Sequence, residues 1–128
     1  MLNDPPRILI VDDEADLRQA LAGLLRDEGY SVATACDGER ALAMVVTTPP
    51  DVILLDMQMP VMDGPAFATA YHRLAGPHAP IVVCSTLPND AVGPLLAAAP
   101  YLRKPFDIDR LLAVLATLLA ERAIGSAD

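Results

Sequence analysis

Asp51-Val52-Ile53-Leu54-Leu55-Asp56 sets four consecutive apolar residues between two carboxylates. A strand with one wet face alternates apolar and polar residues, and this run does not, so it needs cover on both faces. Pro49 and Pro50 just upstream stop any helix from running into it. The reading is therefore a short buried strand of a parallel sheet, ending in an acid.

The same pattern recurs on either side. Arg7–Val11 is a strand that runs into Asp12-Asp13-Glu14, Ser31–Ala35 reads as a second, residues 81–84 as a fourth behind Pro80, and Tyr101–Arg103 as a short fifth before Lys104. Helical patterns lie between them. Over residues 16–27, Leu17, Ala20, Leu21, Leu24 and Leu25 repeat at three and four residue intervals, and Gly29 ends the helix. Asp37 caps a helix through Val46 with Ala41, Leu42 and Val45 inward. Residues 57–64 form a loop, after which Pro65 suits a first helical position and Phe67, Ala70, Tyr71 and Leu74 follow at helical spacing. Asp107 caps the last helix, with a stripe of Ile108, Leu111, Leu112, Leu115, Leu118 and Leu119. Alternating strands and helices predict an α/β fold, a doubly wound parallel sheet with right-handed crossovers. Its chemistry belongs at the carboxyl edge.

The composition narrows the function. Seventeen acidic residues against nine basic ones give a net charge of minus eight, which disfavours direct nucleic-acid binding. At 128 residues the chain holds one domain, expected over residues 7–122, with a tail at 1–6 and a tail or linker start at 123–128. The apolar stretches are broken well short of membrane-spanning length and no signal-like segment opens the chain, so no membrane role and a cytoplasmic location are expected. Cys36 and Cys84 read as buried free thiols, and His72 and His78, flanking the Gly76-Pro77 turn without a third ligand nearby, do not read as a zinc set. No glycine-rich turn follows the first strand, and Asp12-Asp13-Glu14 would repel a pyrophosphate there.

A cation fits that edge instead. Asp12, Asp13 and Asp56 would converge with Lys104, the only lysine beside eight arginines. Carboxylates crowded together raise one another's proton affinity unless a positive charge joins them. Mg²⁺ accepts hard oxygen ligands and keeps waters that leave room for a phosphoryl group. Asp56 could then act as nucleophile, with Lys104 stabilising the phosphoryl oxygens.

The acidic pair in Ile-Leu-Ile-Val-Asp-Asp-Glu, Asp56 in Val-Ile-Leu-Leu-Asp-Met-Gln-Met-Pro, Met62-Asp63-Gly64, Tyr30 with Ala35-Cys36-Asp37-Gly38, and Leu-Arg-Lys-Pro-Phe near the end together resemble the receiver domain of bacterial two-component response regulators, the chemotaxis-regulator type included. The resemblance runs from about Arg7 to Arg122. It implies a flavodoxin-like sheet of five parallel strands in order 2-1-3-4-5 with five helices. It also implies Asp56 as phosphoacceptor, charged by a histidine kinase or a histidine phosphotransfer protein. Asp12 and Asp13 become metal ligands together with Asp56 and the backbone carbonyl of Gln58, for Mg²⁺ with Mn²⁺ as substitute. Ser85 and Lys104 would stabilise the phosphoryl group, Ser85 and Tyr101 would switch, Pro105 would follow a cis bond, and Gln58 and Leu87 would tune hydrolysis. Output would pass to a downstream protein or a fused domain, and the family implies a phosphorylation-dependent homodimer.

The chain departs from that pattern between Ser85 and Lys104. Their separation of nineteen positions is about one helical turn shorter than the family usually has. Pro94 and Pro100 bound the only helical stretch there, so the fourth helix is expected to be stunted or mobile. Thr86 replaces a usual alanine beside the hydroxyl residue and is expected to crowd access. Two other readings compete: a degenerate receiver that binds partners without phosphorylation, and an aspartyl-phosphate hydrolase. The second fits less well, since those enzymes place the nucleophile after the first strand with another aspartate two positions on.

Overall fold

A computed structural model describes residues 4–88 and 92–126, with the side chains of residues 124–126 left aside. Five parallel strands, β1 (Arg7–Val11), β2 (Ser31–Ala35), β3 (Val52–Leu55), β4 (Ile81–Ser85) and β5 (Tyr101–Arg103), form one sheet in the order β2-β1-β3-β4-β5. Four α-helices flank it: α1 (Ala15–Asp27), α2 (Gly38–Thr47), α3 (Gly64–His72) and α4 (Ile108–Ser126). All four residues of β3 are buried, as an apolar run without alternation requires.

The two-residue period of the strands sorts the core into two layers. Leu9, Val11, Ile53, Leu55 and Val83 face α2 and α3, where Ala41, Val45, Phe67 and Tyr71 close over them. Ile8, Ile10, Val52, Leu54 and Val82 face α1 and α4, meeting Leu21, Leu25, Leu111 and Leu115. Among the described residues, no helix is long and apolar enough to cross a membrane.

Three expectations are corrected. On α1 the inward stripe is Leu21, Ala22 and Leu25, with Leu17 partly covered, while Ala20 and Leu24 face solvent. The helix is turned by about one position, a choice that apolar spacing alone does not make. On α3, Gly64 takes the first helical position ahead of Pro65, because the Asp63 carboxylate caps the turn by accepting from Ala66 N–H at 2.9 Å. Cys36 is half-buried at the end of β2, with Sγ 3.8 Å from an Asp37 carboxylate oxygen. Cys84 is buried as expected, and burial foremost pushes its thiol up to about 12.

The fourth of the five helices implied by the family, expected to be stunted, is not an α-helix among the described residues. Among the described residues between β4 and β5 stands a 3-10 turn, Pro94–Leu96, which Pro94 opens and which stops before Pro100. Residues 89–91 of this segment lie outside the described residues. Val92 and Leu96 plug the core beneath α3, whereas Leu95 is exposed. Val92 and Leu96 thus help to close the layer at a place where the family implies a full helix.

Candidate acidic site at the carboxyl edge of the sheet

β1 and β3 are neighbours and parallel, and Asp12 and Asp56 each follow directly on their strands. The ladder continues one step beyond both strands, for Asp12 N–H donates to Ala35 O at 3.1 Å and Asp56 N–H to Val11 O at 2.9 Å. Both side chains are therefore delivered by rigid backbone to one side of the sheet. Asp12 and Asp56 are buried and Asp13 is exposed, and one carboxylate oxygen from each lies within 4.8 Å of the others.

Lys104 enters from the end of β5, where its N–H donates to Ser85 O at 2.8 Å. Its Nζ stands 2.6 Å from Asp12 Oδ2, 3.7 Å from Asp56 Oδ2 and 4.0 Å from Glu14 Oε1. Burial acts to lower the Lys104 pKa, but the hydrogen bond to Asp12 and the charges of Asp12, Asp56 and Glu14 outweigh it and raise it. The ammonium is thus fixed as a cation. Asp56 behaves in the opposite way: desolvation foremost, with repulsion from Asp12, lifts its pKa to about 6 against the pull of Lys104 and of the Gln58 and Met57 backbone N–H groups. One lysine does not balance the carboxylates, and the pocket still favours added positive charge.

The other sequence-predicted residues surround this centre. Ser85 is fully buried at the end of β4, where its Oγ accepts from Leu87 N–H at 3.1 Å. That bond occupies a lone pair, not the hydroxyl proton. Gln58 turns its side chain to solvent, and Leu87 is half-buried. Thr86 is exposed on the rim of an apolar recess of about 360 Å³ shared with Glu14, Leu17, Lys104 and Phe106. The Lys104–Pro105 bond is cis.

Tyr101 is half-buried against the α2–α3 layer, and its hydroxyl oxygen is buried with no hydrogen-bond partner among the described residues. An orphaned buried hydroxyl costs about 1–3 kcal/mol. Tyr101→Phe is therefore expected to stabilise the protein by roughly 1 kcal/mol, read from urea unfolding. A loss of stability would mean that the hydroxyl has a partner in solution.

Three features escaped the sequence. Arg18 Nη1 donates to the Asp12 backbone carbonyl at 2.7 Å, and a contact with a main-chain oxygen leaves no trace in residue type. Val61, an exposed β-branched residue, sits at φ 68°, and Met62 N–H reaches back to Pro60 O at 2.7 Å in a three-residue turn of the rare, strained kind. Gly38 lies so close to this loop that an added Cβ would stand 2.7 Å from Met62 O. The sequence does offer a signal there, a glycine directly after the Asp37 cap, but it does not name the partner.

Comparison with known proteins agrees with this geometry. The family model described as response regulator receiver domain matches residues 8–116. The transcriptional regulatory protein PrrA of Mycobacterium tuberculosis is 42% identical over 120 residues, covering 91% of this chain and 51% of PrrA. The sensor histidine kinase TmoS of Ectopseudomonas mendocina is 34% identical over 132 residues, covering 98% of this chain but 13% of TmoS. The chain thus spans about half the length of PrrA and a small part of TmoS. Among solved structures, the response regulator TrrA of Thermotoga maritima in complex with Mg²⁺-BeF superposes with a TM-score of 0.79 at 32% identity, covering 89% of this chain and 99% of that one. With the strand order, the strand-end acids and the matched length all in agreement, this chain belongs to the response regulator receiver domain family.

Proposed function

We propose that Asp56 is the phosphoacceptor of this receiver domain and that Asp12 and Asp13 hold a divalent cation beside it. A carboxylate oxygen of Asp56 attacks the phosphorus of a phosphohistidine; the new O–P bond forms as the P–N bond breaks, and the donor imidazole leaves with the electron pair. Lys104, held 2.6 Å from Asp12 and 3.7 Å from Asp56, is placed to meet the charge on the phosphoryl oxygens. The buried Ser85 hydroxyl adds a donor from β4 and couples the pocket to the loop through Leu87. Tyr101 on the neighbouring strand reads out the shift, Gln58 and Leu87 tune hydrolysis, and Thr86 limits access. The observation that carries this reading is the convergence of three carboxylates within 4.8 Å, two of them buried, around one fixed ammonium.

The donor set is all hard oxygen, which suits Mg²⁺ and accepts Mn²⁺, with the Gln58 carbonyl as a further ligand. When bound, the ion supplies charge neutralisation for the carboxylates and the phosphoryl oxygens. The donor protein is a histidine kinase or a histidine phosphotransfer protein. The recipient is a downstream protein or a fused output domain, with homodimerisation on phosphorylation and a cytoplasmic setting. Residues 7–122 form the functional domain. No observation favours the phosphorylation-independent alternative. The test is incubation with Mg²⁺ and a small phosphodonor, read by intact mass: the chain gains one phosphoryl group, and chelation prevents the gain. No gain under any divalent metal would defeat the proposal.

Metal binding carries a pH signature. Metal-free Asp56 has a folded pKa of about 6 against an ordinary value of 3.8, so between these values the folded state holds the extra proton and this group's contribution to stability falls as pH rises. A cation must displace that proton. Mg²⁺ affinity is expected to be level above about pH 7 and to drop toward tenfold per unit below about pH 6, measured by titration calorimetry. A flat profile from about pH 5 to about pH 8 would mean that cation binding displaces no proton from Asp56 in that range.

A further inference from the structure

We infer that Arg18 is a positioning residue for the metal-binding acids, acting through the backbone of Asp12; the inference rests on the phosphoacceptor reading above. Asp12 lies one residue beyond β1 and is gripped on every polar atom. Its N–H donates to Ala35 O at 3.1 Å, its Oδ1 accepts from Glu14 N–H at 2.9 Å, and its Oδ2 accepts from Lys104 at 2.6 Å. Its carbonyl has no ladder partner, because β2 ends at Ala35. Arg18 supplies the missing donor at 2.7 Å, from the second turn of α1.

The same helix turn is tied to the same loop, since Arg18 N–H donates to Glu14 O at 2.9 Å. Arg18 therefore clips the β1–α1 loop at two points, one through its side chain and one through its backbone. Between them lies Asp13, the exposed acid, whose own backbone has no strand to hold it. Without the guanidinium, the Asp12 carbonyl loses its side-chain donor and the peptide joining Asp12 to Asp13 is held less firmly. The two carboxylates would then lose the common facing that a shared cation requires. Outer partners of metal ligands are typically worth about 10–100-fold in metal affinity for this reason.

The sign of the effect separates positioning from simple charge. Arg18 is a cation beside a cation site, so electrostatics alone predicts that its removal tightens Mg²⁺ binding. Positioning predicts the reverse. The experiment titrates Mg²⁺ into the whole chain by calorimetry for wild type, Arg18→Ala and Arg18→Lys, with metal-free urea unfolding of each as a check on folding. Arg18→Ala is expected to weaken Mg²⁺ roughly tenfold, and Arg18→Lys, which keeps a donor on a long stem, to recover most of the loss.

Unchanged or tighter binding in Arg18→Ala overturns the inference while leaving the acidic site intact. Equal losses in both variants, matched by equal losses of metal-free stability, make Arg18 a structural prop and overturn it too. Absence of binding in the wild type overturns both this inference and the reading on which it rests.

Discussion

Asp56→Asn is expected to abolish phosphoryl uptake completely, with no mass gain in the presence of Mg²⁺ and a small phosphodonor. The amide keeps the shape of the side chain but has no anionic oxygen to attack phosphorus. The loss will not come from unfolding. Asp56 is buried and its ionisation is opposed by its surroundings, so a neutral isostere removes a penalty and should hold or slightly raise metal-free stability above about pH 6. Mg²⁺ binding should weaken at the same time, because one of three convergent carboxylates is gone. Persistent labelling of the variant would place the acceptor elsewhere, with Asp12 or Asp13 first in line.

Gly64→Ala is expected to be strongly destabilising. A Cβ at this position would stand 2.5 Å from Asp56 O and 2.8 Å from Met57 Cα, both of them backbone atoms that cannot swing aside. Gly64 N–H also donates to Met57 O at 3.0 Å, so the two segments cannot separate without losing that bond. The expected cost is about 2–3 kcal/mol in urea unfolding, with weakened Mg²⁺ binding because the strain falls on the peptide of Asp56. Gly23 supplies the control. It lies in α1 with nothing within 4 Å of a built Cβ, and Gly23→Ala should stabilise by about 0.5–1 kcal/mol. Equal effects of the two substitutions would contradict the close approach.

How far residues alone reveal this molecule depends on where the deciding interaction lies. β3 was legible because its unbroken apolar run is short and β-branched at its start, and Pro49 and Pro50 stop a helix just ahead of it. The meeting of Asp12, Asp56 and Lys104 followed from the same fact, since parallel strands deliver their terminal residues to a common edge. The facing of α1 was not legible: Ala20, Ala22 and Leu24 are all apolar, and spacing alone does not single out Ala22 as the buried one. Pro94 and Pro100 announced a truncated connection, but not that Val92 and Leu96 would be the residues buried in the layer. Val61 contradicted its own propensity, since a β-branched side chain argues against the left-handed backbone it adopts. Arg18 and the Gly64 contact involve main-chain atoms, which every residue carries alike.

Asp51, just ahead of β3, has a consequence for how such a domain can be joined to others. One carboxylate oxygen accepts from Arg7 N–H at 2.8 Å and the other lies 3.6 Å from Arg122 Nε. A single side chain thus gathers the start of the first strand and the late turns of the last helix. Strands of four or five residues put that knot about 15 Å from the acids at their far ends. Fusions and affinity tags added before the first strand or after the last helix would start from the end of the sheet opposite the acids.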